Sequence, residues 1–201
     1  MEKGYLAVYS SSSDALAKEY FEAAWALGSE MAERGWSLVF GAGRVGLMGE
    51  CTRAIHASAA PTRVYGVIPE ALNQPGIPYE RCDELVVTKT MRERKQLMEE
   101  AATAFIALPG GFGTLEEVLE ILTLKQLRYH KKAIVFYNTN GFYDDLLRQF
   151  DRTIGERFAK EESRKLYFVT DNPGEALDYI ESYQPYEISA KWLTAAGEKH
   201  G

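Results

Sequence analysis

Short apolar runs with strand character alternate with amphipathic stretches along nearly the whole chain, and no other feature restricts the fold as much. The runs cover 5–9, 36–40, 63–68, 84–88, 104–108, 133–137 and 166–169. Most are apolar almost throughout, as strands buried on both faces are. Between them, helical periodicity covers 14–34, 47–59, 90–102, 114–129, 143–156 and 174–183. Strict alternation of this kind predicts an α/β fold: a mainly parallel sheet flanked by helices on both faces, a three-layer sandwich. The 201 residues suit a single domain, here expected over 1–184, with a polar C-terminal tail over 185–201 that carries Trp192 and Leu193.

Composition narrows the function classes. The chain holds 23 Lys and Arg against 29 Asp and Glu, a net charge of −6. Duplex nucleic acid binders need a basic face, so no nucleic-acid partner is expected. No stretch approaches the ~18 consecutive apolar residues of a membrane span, and the N-terminal residues lack the basic and apolar regions of a signal peptide. Cys51 and Cys82 read as two reduced, packed thiols. His56, His130 and His200 are far apart, and neither His-x-x-x-His nor Cys-x-x-Cys occurs, so no metal site is expected. A cytoplasmic protein without metal fits all of this.

In parallel α/β sheets, ligands sit beyond the carboxyl ends of the strands. Four loops there are informative. Pro109-Gly110-Gly111-Phe112-Gly113-Thr114 follows the strand at 104–108 and opens a helix. Its glycines can point several N–H groups one way at a helix N-terminus, a site for an anion such as phosphate. The competing interpretation is a tight turn in which Thr114-x-x-Glu117 is a capping box. Thr90-x-x-Glu93 is a second possible capping box, followed by Arg92, Arg94 and Lys95. Cations in a first helical turn oppose the helix dipole. Either a bound anion offsets them or they form a solvated patch paired with Glu93, Glu99 and Glu100. Gly41-Ala42-Gly43-Arg44-Val45-Gly46 has the G-x-G-x-x-G spacing of a dinucleotide site. It follows the second strand rather than the first, which favours plain helix–sheet packing or a smaller nucleotide. Ser10 to Asp14 suit an N-cap cluster for the helix that follows, and could also line a polar pocket. His130-Lys131 fits a surface helix cap rather than a pyridoxal phosphate site.

Taken together these loops resemble the LONELY GUY (LOG) family of cytokinin riboside 5′-monophosphate phosphoribohydrolases, often labelled lysine decarboxylases. Pro109 to Glu117 match PGGxGTxxE, Met91, Arg94 and Lys95 match M-x-x-R-K, and Gly41 to Gly49 look like GGGxxGLMG. The resemblance runs from about Val8 to Gln149. It implies a Rossmann-like, usually dimeric α/β sandwich that cleaves the N-glycosidic bond of a nucleoside 5′-monophosphate to free base and ribose 5-phosphate, without cofactor. It implies Arg94 and Glu117 as the catalytic pair. Phosphate and substrate contacts fall to Gly110, Gly111, Phe112, Gly113 and Thr114, with Lys95, Glu116, Thr123, Gly43 and Met91 as further contacts.

The chain departs from the family pattern in several places. Arg92 stands where His is frequent, Ala42 and Arg128 where Gly is common, and Ser10-Ser11 where Cys-Gly is common. Leu124 replaces a usual Trp and Ala133 a usual Pro. The phosphate and catalytic positions survive these changes, while the preferred base is left open. The runner-up function on the same fold is a non-catalytic carrier of a nucleotide or pterin cofactor, which has no need of Arg94 and Glu117. A nicotinamide-dependent oxidoreductase built on 41–46 ranks third, and a decarboxylase last.

Overall fold

A computed structural model describes residues 3–186. Every expected strand and helix is present, with ends shifted by a few residues. The strands are β1 (Tyr5–Tyr9), β2 (Ser37–Phe40), β3 (Val64–Pro69), β4 (Glu84–Thr88), β5 (Ala102–Ala107), β6 (Ala133–Tyr137) and β7 (Phe168–Thr170). The helices are α1 (Lys18–Glu33), α2 (Gly46–Ala57), α3 (Met91–Ala101), α4 (Phe112–Gln126), α5 (Asp144–Gly155) and α6 (Pro173–Ser182). The seven strands form one sheet in the order β4-β3-β2-β1-β5-β6-β7, and all the pairings are parallel. The fold is a doubly wound α/β sandwich of Rossmann type. Trp192 and Leu193 lie outside the described residues.

Strand alternation builds two cores. Leu6, Val8, Leu38, Phe40, Ile106 and Val135 point to the side of α1, α2 and α6. Ala7, Tyr9, Val39, Phe105 and Phe136 point to the side of α3, α4 and α5. Both faces are covered, which is why the strands read as near-continuous apolar runs rather than as alternating ones. On the first side α1 and α2 pack closely, since a Cβ on Gly28 of α1 would strike the Cys51 backbone carbonyl of α2.

From β1 the chain winds outward through β2, β3 and β4, then returns to place β5 on the other side of β1. The winding therefore reverses between β1 and β5, and a crevice opens there at the carboxyl ends. The loops after β1, β2 and β5 meet at this crevice. Ser11 N–H donates to Pro109 O (3.2 Å), and Leu47 N–H donates to Ser11 O (2.9 Å).

Two local expectations are corrected. Asp14 does not cap the helix that follows it. That helix starts at Lys18 with Ala17 as an N-cap that supplies no side-chain bond. Asp14 reaches across instead and accepts from Gly46 N–H (2.7 Å) at the start of α2. His130 is no surface cap. It is 8% exposed, and its Nε2–H donates to Ile121 O (2.9 Å) while Nδ1 accepts from Lys132 N–H (3.2 Å).

Candidate active site

A cavity of about 520 Å³ occupies the crevice. One arc of its wall is polar: Ser10 to Ser13 after β1, and Gly111, Gly113, Thr114 and Glu117 at the start of α4, with Arg94 reaching in from α3. The opposite arc is apolar: Met48 of α2, Ile68 of β3, and Leu72 and Ile77 from the connection between β3 and β4. The ends of β3 and β5 lie three strand spacings apart, roughly 14 Å, about the length of a nucleotide.

The start of α4 is shaped to receive an anion. Gly111 is the N-cap and no side chain caps the helix, which leaves its first N–H groups without side-chain acceptors. A Cβ on Gly111 or Gly113 would meet nothing within 4 Å, so space stands open in front of the loop. Gly110 is different. A Cβ there would collide with Thr114, so only glycine lets the loop fold back over that side chain. Thr114 is the third residue of α4 and buried. The capping-box interpretation of Thr114 and Glu117 therefore does not hold. The other capping box is formed: Glu93 N–H donates to Thr90 Oγ1 (3.1 Å), and Thr90 N–H donates back to Glu93 Oε2 (3.3 Å).

The glycine loop after β2 offers no comparable site. At the start of α2, Gly46 N–H is taken by Asp14, and Leu47 and Met48 N–H both point at Ser11 O. A pyrophosphate would have to displace these protein acceptors, which argues against the dinucleotide interpretation. The loop acts instead as a floor for the connection at 70–83. Tyr79 N–H donates to Ala42 O (2.8 Å), Arg44 N–H donates to Ile77 O (3.1 Å), and Gly43 bridges Pro78.

Glu117 is only 8% exposed. Burial is the main influence on its carboxyl and pushes its pKa up; the Arg94 charge pulls the other way, and the net shift is upward. Arg94 Nη1 stands 2.8 Å from Glu117 Oε1 as an ion pair, without hydrogen-bond alignment at that oxygen. Arg94 is itself held in place. Its Nε–H donates to Val67 O (3.3 Å), and its guanidinium packs on Gly41 so closely that a Cβ there would overlap it.

Of the remaining expected contacts, Lys95, Phe112, Glu116, Thr123 and Met91 fall outside the cavity wall. Lys95 pairs with Glu116 (2.5 Å) and Glu120 (2.8 Å) on the outer side of α4. Thr123 Oγ1 donates to Leu119 O (2.8 Å) and lies in a groove between α4 and α5. Phe112 is 92% exposed. The Met91 side chain touches Arg94 (3.1 Å). Gly43 does line the cavity, against Met48. Ile68, Leu72 and Ile77 carry no motif. The sequence marks Leu72 and Ile77 only as large aliphatic residues in a connection between strands, and their place in the wall depends on how that connection folds back. Among the described residues no cluster of three or more His, Cys, Asp or Glu could hold a metal, and no helix is long and apolar enough to cross a membrane.

Fold and site together define a class: a doubly wound parallel α/β protein with an anion-receptive glycine loop and a buried carboxylate–guanidinium pair at its switch point. Residues 48–180 match the model of a family described as "Possible lysine decarboxylase". A cytokinin riboside 5′-monophosphate phosphoribohydrolase LOG from Oryza sativa subsp. japonica is 40% identical over 188 residues, 93% of this chain and 77% of the relative. A phosphoribohydrolase of the same description from Arabidopsis thaliana is 38% identical over 180 residues, 90% of this chain and 84% of the relative. The chain belongs to the LONELY GUY family. Among solved structures, a molybdenum cofactor binding protein from Rippkaea orientalis superposes with a TM-score of 0.69 at 22% identity, covering 90% of this chain and 98% of that one. A molybdenum cofactor carrier protein from Chlamydomonas reinhardtii gives 0.66 at 21% identity, covering 90% and 97%. At such identities the likeness speaks for the fold alone.

Proposed function

We propose that this protein hydrolyses the N-glycosidic bond of nucleoside 5′-monophosphates, releasing free base and ribose 5-phosphate. One observation carries the reading: a buried carboxylate, Glu117, sits about one and a half helical turns after the open N-terminus of α4 and is paired with Arg94 inside the cavity. A phosphate on the loop at 110–114 would bring the sugar against Glu117. Cleavage passes through an oxocarbenium-like ribosyl cation, which the carboxylate stabilises while it activates a water. The water oxygen bonds to the anomeric carbon, the glycosidic electron pair leaves with the base nitrogen, and a proton from the water ends on the base. Such positioning is worth several kcal/mol, up to ~7–11 in favourable systems. No redox or metal cofactor is required for this balance.

The apolar arc supports an adenine with an apolar substituent as the base, in line with the names of the relatives. Lys95, Glu116, Thr123, Phe112 and Met91 belong, in this reading, to substrate contact made only when the site closes or pairs with another copy. We read the protein as a cytoplasmic homodimer. The apolar groove along α4 and α5, lined by Leu119, Leu122 and Phe150, supports pairing, and light scattering at twice the monomer mass checks it.

The deciding experiment is a chromatographic assay on AMP and isopentenyladenosine monophosphate, with the dephosphorylated nucleosides as controls. Base release from phosphorylated substrates only is expected, and Glu117→Gln should abolish it while ligand binding persists. Wild-type turnover in Glu117→Gln removes the role assigned to that residue. A wild-type protein that releases no base from any nucleotide removes the hydrolase reading and restores the carrier.

A further inference from the structure

Two oxygens in the cavity wall are buried without an aligned hydrogen bond among the described residues: Ser10 Oγ and Glu117 Oε1. Ser10 is 5% exposed and lies at the end of β1, directly beside the end of β5. Leu108 N–H donates to Tyr9 O (2.9 Å) and Ser11 N–H to Pro109 O (3.2 Å), so the backbone on either side of Ser10 is tied to the segment that leads into α4. A buried hydroxyl without a partner is unfavourable, and Ser10 lines the same cavity as Glu117, whose carboxylate is held by Arg94 at 2.8 Å.

We infer that Ser10 is a specificity-determining residue that donates to a ribose hydroxyl of the nucleotide while the same diol donates to Glu117. This rests on the phosphoribohydrolase reading and adds to it a residue and a selectivity, ribose over deoxyribose.

Hydrogen-bond inventory selects the ligand group. Ionised Glu117 can only accept, and Ser10 has one proton to give. A group that takes up the serine proton accepts from Ser10 and donates to the carboxylate. A phosphate dianion cannot donate and would be repelled by Glu117. An adenine edge sets an amine donor beside a ring-nitrogen acceptor, but in this reading the base lies against Met48, Ile68, Leu72 and Ile77. A hydroxyl does both, and a ribose presents two side by side. The phosphate has its own place at the uncapped start of α4, which leaves the diol as the part of the nucleotide that meets Ser10 and Glu117 together.

The test compares AMP, 2′-deoxyAMP and 3′-deoxyAMP with wild type, Ser10→Ala and Ser10→Cys. Comparing each variant with wild type on the same substrate cancels the intrinsic lability of the deoxyribosyl bond. Ser10→Ala should lose roughly three- to tenfold in kcat/KM on AMP and lose nothing on whichever deoxynucleotide lacks the hydroxyl that Ser10 meets. Ser10→Cys, near in size but a weak donor, should fall between. Melting temperature should not drop in Ser10→Ala, because no protein bond is removed. Equal losses on all three nucleotides, or no loss on any from an active wild type, overturn the inference. If wild type turns over no nucleotide, the hydrolase reading fails separately. The same three nucleotides, then not consumed, are titrated by calorimetry, and a Ser10→Ala loss of affinity confined to ligands bearing the hydroxyl sustains the contact, whereas uniform affinities overturn it.

Discussion

Burial raises the Glu117 carboxyl while Arg94 opposes it, and the net shift is upward. If the carboxylate is the working form, kcat/KM should fall on the acid side at a pH above the ordinary glutamate range, as protonation removes it. A pH–rate profile checks this; a limb at the usual glutamate position would mean that Glu117 is not the titrating group. Gly41 makes a second prediction. Its missing side chain is the space the Arg94 guanidinium occupies. Gly41→Ala should push Arg94 off Glu117 and cost about 10- to 100-fold in turnover, with melting temperature nearly unchanged; steady-state kinetics beside a thermal melt would show the split. At this scale, motif residues were legible and their neighbours were not. Arg94 and Glu117 stand out in sequence, but their pairing, 23 positions apart, does not. Two departures from the family pattern have a backbone explanation. Ala42 and Arg128 hold φ values of 59° and 70° where glycine is common, a strain of about 1 kcal/mol each.

Helices, rather than strands, carry the element-scale surprises. The register of α1 on α2 depends on Gly28, whose Cβ would meet the carbonyl of Cys51. Gly28→Ala should destabilise the protein by about 1–3 kcal/mol despite alanine's better helix propensity, read from urea midpoints. The strands were predictable because burial on both faces leaves an uninterrupted apolar run. Helix starts were harder. Asp14 reads as a cap for the next helix, yet it caps α2, 32 positions on, and that choice is made by where the loop after β1 crosses the loop after β2. Thr114-x-x-Glu117 and Thr90-x-x-Glu93 share one pattern, but only the second forms a capping box. The glycine turn lets α4 begin earlier, at Phe112, which carries Thr114 and Glu117 inside the helix and frees both for the cavity.

For the molecule as a whole, acid stability should report a buried imidazole. The His130 pKa is lowered to about 4 by burial, against a backbone hydrogen bond to Ile121 that works the other way. The unfolded chain takes up that proton near pH 6.5, so the native state is favoured above that value and loses the contribution as pH falls toward 4. Between pH 7 and pH 5 the loss should be about 1–2 kcal/mol. Urea unfolding of wild type and His130→Asn at both pH values checks it, and the variant should show a flatter dependence. The alternation of apolar runs and amphipathic stretches was enough for the sequence alone to determine a parallel α/β sandwich, because each face of each strand must find a cover. Local spacing likewise marked the glycine loop at 109–114 as an anion-site candidate, and the family resemblance singled out Arg94 and Glu117. The tertiary structure decided which glycine loop has its N–H groups taken by distant acceptors, since only the fold lays Ser11 and Asp14 across the start of α2. It also decided that Lys95 faces away from the cavity, and that Ser10 and Glu117 share one wall. These outcomes depend on contacts between segments far apart in the chain, and no local pattern encodes which distant group will occupy a given donor.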